Sequence, residues 1–283
     1  MAFKAPFNYI GNKYRIIDRI TSLFPRDINN FVDLFCGGGD VSINTRASHI
    51  YANDINYHVI DIMRAFQSYS IVEVLKYIDN TIKEWGLSKS SKENYLRFRD
   101  YYNNHSHNPL DLYVLMCFSF NFQFRFNSKH EYNNPFGQNR SHFSENMRSN
   151  LVMFSQRISD IIFSSTDFRN FDYGVLGNGD MLYADPPYLL SCGSYNDGKR
   201  GFRGWTVDDD LKLMEILQHL HRRGVLFALS NVIEHKGNKH YYLEKWVENN
   251  GFNTHDIGIN YNNCNYQNKN RNAVTREVLI TNY

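Results

Sequence analysis

The sequence predicts an α/β fold in which an open sheet flanked by helices is interrupted by a mostly helical insert. Three observations carry this prediction. Short apolar segments near residues 31–35, 49–54, 179–184 and 225–230 read as buried strands, and Asp54, Asp185 and Asn231 stand at the carboxyl ends of the last three. Glycines at 37, 38 and 39 break the first strand before a helical pattern begins, as in a nucleotide-binding βα unit. Between Phe66 and Ile161 the alternation stops, and helical periodicity with many polar aromatics replaces it. The chain is therefore expected to form one domain from residues 1–65 plus 162–283 and a second from residues 66–161.

Composition bounds the function. A chain of 283 residues buries a substantial core, and 20 Tyr and 21 Phe favour stacking surfaces. The net charge of +2 is weak evidence for a polyanionic partner, so any nucleic-acid site has to gather its basic residues on one face. Cys36, Cys117, Cys192 and Cys264 form no C-x-x-C pair, which argues against a zinc knuckle or a disulfide framework and for a reducing compartment. The histidines lack the companions of a metal site, and no metal is expected. No apolar run is long enough for a bilayer and no signal peptide is read, so a soluble, cytoplasmic protein is expected.

Pro6 to Lys13 reads as a loop leading into a helix with the apolar stripe Ile16, Ile17, Ile20 and Leu23, ended by Pro25. Tyr9 and Lys13, taken alone, read as ordinary surface residues. The glycine turn lets backbone approach a ligand without Cβ obstruction. It is not the full dinucleotide fingerprint, because Ser42 stands where the third glycine belongs, and no phosphate-binding lysine follows. The second strand ends in Asp54, which can accept both hydroxyls of a ribose or cap a helix starting at Ile55.

In the insert, Leu110 to Phe120 is an apolar run. Phe120 to Asn127 alternates strictly with period two, which predicts a strand, with a turn at 127–130 and a return strand over Glu131 to Phe136. A two-stranded ribbon fits the major groove, where Arg reads guanine and Asn or Gln reads adenine. Arg125 and Gln123, with Asn127 beside them, are the candidates, and Arg140, Arg148 and Arg157 can hold phosphates. The same stretch also reads as a plain solvated hairpin. Ser191 to Gly204 reads as an active-site loop whose basic face carries Lys199 and Arg200. Thr206 is placed to cap the next helix, Asn231 ends the strand 225–230, and an Asn-rich loop, Asn260 to Asn272, joins two expected antiparallel strands.

The chemically informative stretch is Tyr183-Ala184-Asp185-Pro186-Pro187-Tyr188. Asp185 falls where an apolar strand ends, the expected place for ligands in an open α/β sheet. Two successive prolines remove two N–H donors and stop the chain from continuing a ladder, leaving carbonyls free to accept. One carboxylate, the Pro186 carbonyl and the flat Tyr188 ring suit an amino group on a planar heterocycle: two N–H bonds donated, one ring stacked.

Taken together, these motifs resemble the DNA adenine-N6 methyltransferases, most closely the Dam family of the α-group D12 class with its phage-type members. The resemblance rests on Pro6-Phe7-x-Tyr9-x-Gly11-x-Lys13, Phe31-Val32-Asp33-Leu34-Phe35-Cys36-Gly37-Gly38, Asn53-Asp54-Ile55, Asn134-Pro135-Phe136-Gly137, Tyr183 to Tyr188 and Leu229-Ser230-Asn231, in that order. The spacing Asp33-x-Phe35-x-Gly37-x-Gly39 is similar to the first motif of methyltransferases that use S-adenosyl-L-methionine (AdoMet). The resemblance implies a Rossmann-like AdoMet-dependent sheet, an inserted target-recognition domain carrying a β-hairpin, and methylation of N6 of a flipped-out adenine in duplex DNA. It implies cofactor contacts from Tyr9, Lys13, Asp33, Phe35, Gly37, Gly39, Asp54, Phe168 and Asp185, and catalysis by Asp185, Pro186 and Tyr188. It further implies guanine reading by Arg125, a G-A-T-C site, a restriction enzyme that can share that site, and a monomer or weak dimer. Asp185 as first residue of the tetrapeptide favours adenine N6 over cytosine N4 or an RNA adenine. Gly11-Asn12 replaces the frequent Gly-Gly, and Gln123 stands where an apolar residue is common.

Overall fold

The computed structural model describes residues 2–190, 204–258 and 275–283. Its sheet is built from β1 (Asn30–Asp33), β2 (His49–Asn53), β3 (Ile161–Ser164), β4 (Met181–Ala184), β5 (Leu226–His235), β6 (Asn238–Lys239), β7 (Asn253–Asp256) and β8 (Thr275–Thr281). The order is β3-β2-β1-β4-β5-β8-β7, with β6 paired onto β5. The strands β3, β2, β1, β4 and β5 are parallel, and β8 runs antiparallel to both β5 and β7. The fold is thus the Rossmann-like α/β class that the sequence predicts.

Period-two geometry sends successive side chains of the central strands to opposite faces of the sheet. Phe31, Met181 and Tyr183 point to one face, where α1 (Ile17–Thr21) and α2 (Asp40–Asn44) cover them. Val32, Leu182, Ala184, Phe227 and Leu229 point to the other, against α8 (Val207–Arg222) and α9 (Tyr241–Asn250). Both faces are buried, as parallel sheets require. Thr206 caps α8 in a reciprocal box with Asp209, as its position suggests. One boundary differs: β5 continues through Asn231 to His235, because β8 and β6 supply ladder partners past the edge of the parallel sheet. Asn231 therefore lies within a strand rather than at its end.

Between β2 and β3 the chain forms α3 (Tyr57–Ser68), α4 (Ile71–Glu84), α5 (Lys92–Tyr101), α6 (Pro109–Phe118) and α7 (Glu145–Arg157). Every residue of α6 from Leu110 to Phe118 is buried, so it is the axis around which the insert packs. Its core is continuous with the N-terminal loop: the Phe7 ring meets Phe66, Tyr113, Phe124 and Phe154 at centroid distances of 5.5–6.1 Å. Helix α3 runs across residue 66, the predicted start of the insert.

The regular strand expected over 120–127 does not form. Phe120–Phe122 is a 3-10 turn with Asn121 and Phe122 at φ +54°, and only the pairs Ser119↔Phe136 and Phe126↔Tyr132 bridge the outgoing and returning arms. The return arm cannot sustain a ladder: Pro135 has no N–H to give, and the Asn134 amide takes the Phe120 and Gln123 carbonyls. The alternation still sorts the side chains, with Phe124 and Phe126 buried and Arg125 exposed.

Candidate active site

The strand order reverses between β1 and β4, and a parallel sheet opens a crevice at the carboxyl ends of the strands on either side of such a point. Here that crevice is a cavity of about 740 Å³. The chain leaving β1 supplies Asp33, Phe35 and the glycine turn; the chain leaving β4 supplies Asp185, Pro186 and Tyr188. Tyr9, Lys13, Asp54 and Phe168 line the same space. Residues from five separate sequence stretches thus converge, and the pair read alone as surface residues, Tyr9 and Lys13, is among them.

The turn needs its glycines. Gly37 sits at φ +50°, and a Cβ there would lie 2.8 Å from the Tyr9 ring. Gly39, at φ +84°, is the left-handed N-cap of α2 and faces Met63 and Phe154 rather than the cavity. Asp54 accepts from the Gly37 N–H at 2.9 Å and from the Asn56 N–H at 2.8 Å; the N-cap of α3 is Asn56, so Asp54 ties the glycine turn to β2 instead of capping. Burial raises the Asp54 pKa from its ordinary value, opposed by the two backbone N–H groups it accepts from. Asp33 is buried, accepts from Ser42 Oγ at 2.6 Å on one oxygen, and has no partner on the other among the described residues. Burial pushes its pKa up to about 7, opposed by the Ser42 hydrogen bond.

At one end of the cavity Phe35, Phe168 and Trp205 form a ring cluster with centroids 5.2–5.6 Å apart. The Trp205 indole donates to Asp210 at 2.6 Å, and Asp210 also holds His240 and Tyr242. At the other end Lys13 Nζ meets Asp185 Oδ2 at 2.6 Å, and the Tyr188 hydroxyl donates toward Asp185 Oδ1 at 2.7 Å. Burial pulls the Lys13 ammonium pKa down, but Asp185 and Glu277 outweigh it and leave the pKa above its ordinary value. Burial dominates at Asp185 and raises its pKa despite Lys13, and it drives the Tyr188 phenol well above its usual range. The Pro186 carbonyl takes no hydrogen bond from any described residue.

Two lining residues were not legible in the sequence. Glu277 arrives from β8, where period-two alternation makes it look like an outward-facing charge, and Trp205 precedes a helix cap with no motif around it. On the insert, Arg125 and Arg140 are exposed, and Gln123 is half-buried at the cavity-side arm. Asn127 is engaged in the chain reversal: its Oδ1 accepts from the Lys129 and Glu131 N–H groups. Arg148 pairs with Asp79 at 2.5 Å, and Arg157 lies over the Phe3 ring at 3.9 Å, so both have internal roles. Lys199, Arg200 and the loop 260–272 lie outside the described residues.

A family model described as D12 class N6 adenine-specific DNA methyltransferase matches residues 9–263, a span containing every predicted site residue. The chain belongs to this family of D12-class N6 adenine-specific DNA methyltransferases. It is 47% identical over 282 residues to the modification methylase StsI of Streptococcus sanguinis and 45% identical over 282 residues to the type II methyltransferase M.FokI of Planomicrobium okeanokoites. Each match covers 99% of this D12-class chain but 43% of the relative, so the chain spans less than half the length of these curated relatives. A DNA adenine methylase of Haemophilus influenzae is 27% identical over 189 residues, covering 65% of this chain and 63% of that protein. Identity to the modification methylases thus exceeds identity to this Dam-type enzyme.

Proposed function

We propose that this chain transfers a methyl group from AdoMet to N6 of an adenine turned out of duplex DNA. The observation that carries the reading is the meeting of Asp185, Tyr188 and the Pro186 carbonyl, which takes no hydrogen bond from a described residue, with the glycine turn in one crevice at the sheet's switch point. The cavity suits the cofactor by its donor set. Phe35 and Phe168 offer faces for an adenine ring, Asp54 a carboxylate for ribose hydroxyls, and the unpartnered oxygen of Asp33 an acceptor for an ammonium. Gly37 leaves room for a ligand against backbone beside Tyr9. AdoMet bound there supplies an electrophilic methyl on a sulfonium centre.

The chain's own residues do the rest. An adenine inside the stack is out of reach, so it flips, at a cost of about a few kcal/mol. Its amine is a poor nucleophile because the lone pair is delocalised into the ring. Asp185 and the Pro186 carbonyl each accept one N6 hydrogen, Tyr188 stacks on the base, and the nitrogen is held toward tetrahedral geometry with its lone pair localised. Positive charge developing on N6 is met by the Asp185 carboxylate, which also receives the departing proton. Arg125, Gln123 and Arg140 contact the duplex, with Lys199 and Arg200 from the loop after Tyr188. The likeness to a modification methylase at 47% identity and to a type II methyltransferase at 45% supports a modification role, protecting DNA from a restriction enzyme that reads the same site.

The deciding experiment is single-base mapping of N6-methyladenine in unmethylated duplex DNA incubated with this chain and AdoMet. Marks confined to one short motif support the reading. G-A-T-C is the motif that the Dam resemblance suggests; the higher identity to modification methylases weighs against that transfer, and marks in another motif would replace it. No methylation of DNA would sink the reading.

A further inference from the structure

In the arrangement seen, both carboxylate oxygens of Asp185 are already engaged, so an incoming amine has to share them with two protein donors. Its Oδ2 holds Lys13 and its Oδ1 accepts from Tyr188. A second carboxylate stands ready: Glu277 Oε1 lies 2.8 Å from the same Tyr188 hydroxyl and 3.6 Å from the same Lys13 ammonium. A phenol has one proton and donates to one carboxylate at a time, whereas an ammonium has three. Glu277 is held for this task by its own backbone. It pairs with Val232 on β5 beside an irregularity in the ladder, and its carbonyl accepts from the N–H groups of both Ile257 and Gly258 at 3.2 Å.

We propose that Glu277 is a positioning residue that takes over Lys13 and the Tyr188 hydroxyl when the substrate amine engages Asp185, freeing Asp185 without stranding a buried ammonium. Lys13 needs to move only from a 2.6 Å contact toward an acceptor already 3.6 Å away. Tyr188 needs only to turn its O–H from one carboxylate to the other, so the ring keeps its place. Two carboxylates against one ammonium also leave the cluster net negative when all three are ionised, favourable to positive charge appearing on N6. Without Glu277, Lys13 and Tyr188 remain on Asp185 and compete with the substrate. The proposal rests on the adenine-N6 reading and deepens it.

The test is Glu277→Gln, which keeps an acceptor for Tyr188 but removes the charge that attracts Lys13. On a duplex carrying the mapped site, the single-turnover methylation rate should fall at least thirtyfold. Affinities for S-adenosyl-L-homocysteine and for the duplex, measured by calorimetry without turnover, should stay within threefold of the parent. Glu277→Asp, which keeps the charge one methylene short, should recover part of the lost rate and stay five- to twentyfold below the parent. A rate within threefold of the parent overturns the proposal, as does a parallel loss of rate, both affinities and melting temperature, which would mark a merely structural residue. If Glu277→Gln does not fold, Glu277→Asp carries the test: a five- to twentyfold slower transfer with unchanged binding supports the proposal, and a parental rate overturns it. Absence of methyl transfer by the parent chain would instead remove the adenine-N6 reading, and the proposal with it.

Discussion

The crevice and the insert use charge in opposite ways. In the crevice Lys13, Asp185, Tyr188 and Glu277 are largely withdrawn from water and satisfy one another, so each perturbs the rest. On the insert, Arg125 and Arg140 stand exposed with no side-chain partner among the described residues, whereas the half-buried Arg148 pairs with Asp79 and the exposed Arg157 lays its guanidinium over the Phe3 ring. A residue type at a strand's carboxyl end is thus strong evidence of use, because the sheet aims it. An arginine on a helical surface is weak evidence, because its long side chain finds internal partners as readily as phosphates.

The contrast predicts where damage concentrates. Asp185→Ala should lower the methylation rate by roughly 10³-fold or more while leaving duplex affinity nearly intact, checked by rate and gel-shift assays on the same preparation. Gly37→Ala places a Cβ 2.8 Å from the Tyr9 ring at φ +50°, so AdoMet affinity should drop about tenfold and the fold should lose about 1–3 kcal/mol. Calorimetric binding and denaturant unfolding check both.

Arg125→Ala should relax preference at one base pair by about 1–3 kcal/mol, seen as extra motifs in methylation maps. Arg140→Ala should weaken all duplexes alike and reduce the salt slope by about 0.9, whereas Arg148→Ala should leave that slope unchanged and cost at most about 1 kcal/mol of stability. Equal slopes for the two variants would break the contrast drawn above.

The smallest expected effect is a pH dependence. Asp33 titrates near 7 in the folded protein and near the ordinary carboxylate value when unfolded, so the native state binds its proton more tightly. Its contribution is complete below about pH 4 and is lost as pH rises through 7. Asp33→Asn should therefore raise the melting temperature relative to the parent more at pH 8 than at pH 5. A constant offset across that range would mean that Asp33 is ionised throughout.

The sequence by itself determined four of the five parallel strands and the residues that follow their carboxyl ends, while β3 went unread. Strand ends, proline pairs and glycine turns are local signals, and the parallel pairing of β1 with β2 and β4 brings them to one edge of the sheet. Asp33, Asp54 and Asp185 were legible for that reason. The tertiary structure decided which partners those residues meet. Glu277 is 92 positions after Asp185 and reaches it only because β8 folds back beside β5. Tyr9 and Lys13 are drawn in from a loop with no pattern of its own, since the glycine turn leaves room for one ring and the buried carboxylates attract one ammonium. The reversal after Phe120 shows the limit most clearly. Its alternation sorted inside from outside only from Phe124 onward, Phe120 being left exposed, and Asn134 and Pro135 decided that the backbone would be tied by side chains and isolated bridges, because hydrogen-bond pairing depends on both arms and alternation reports on one.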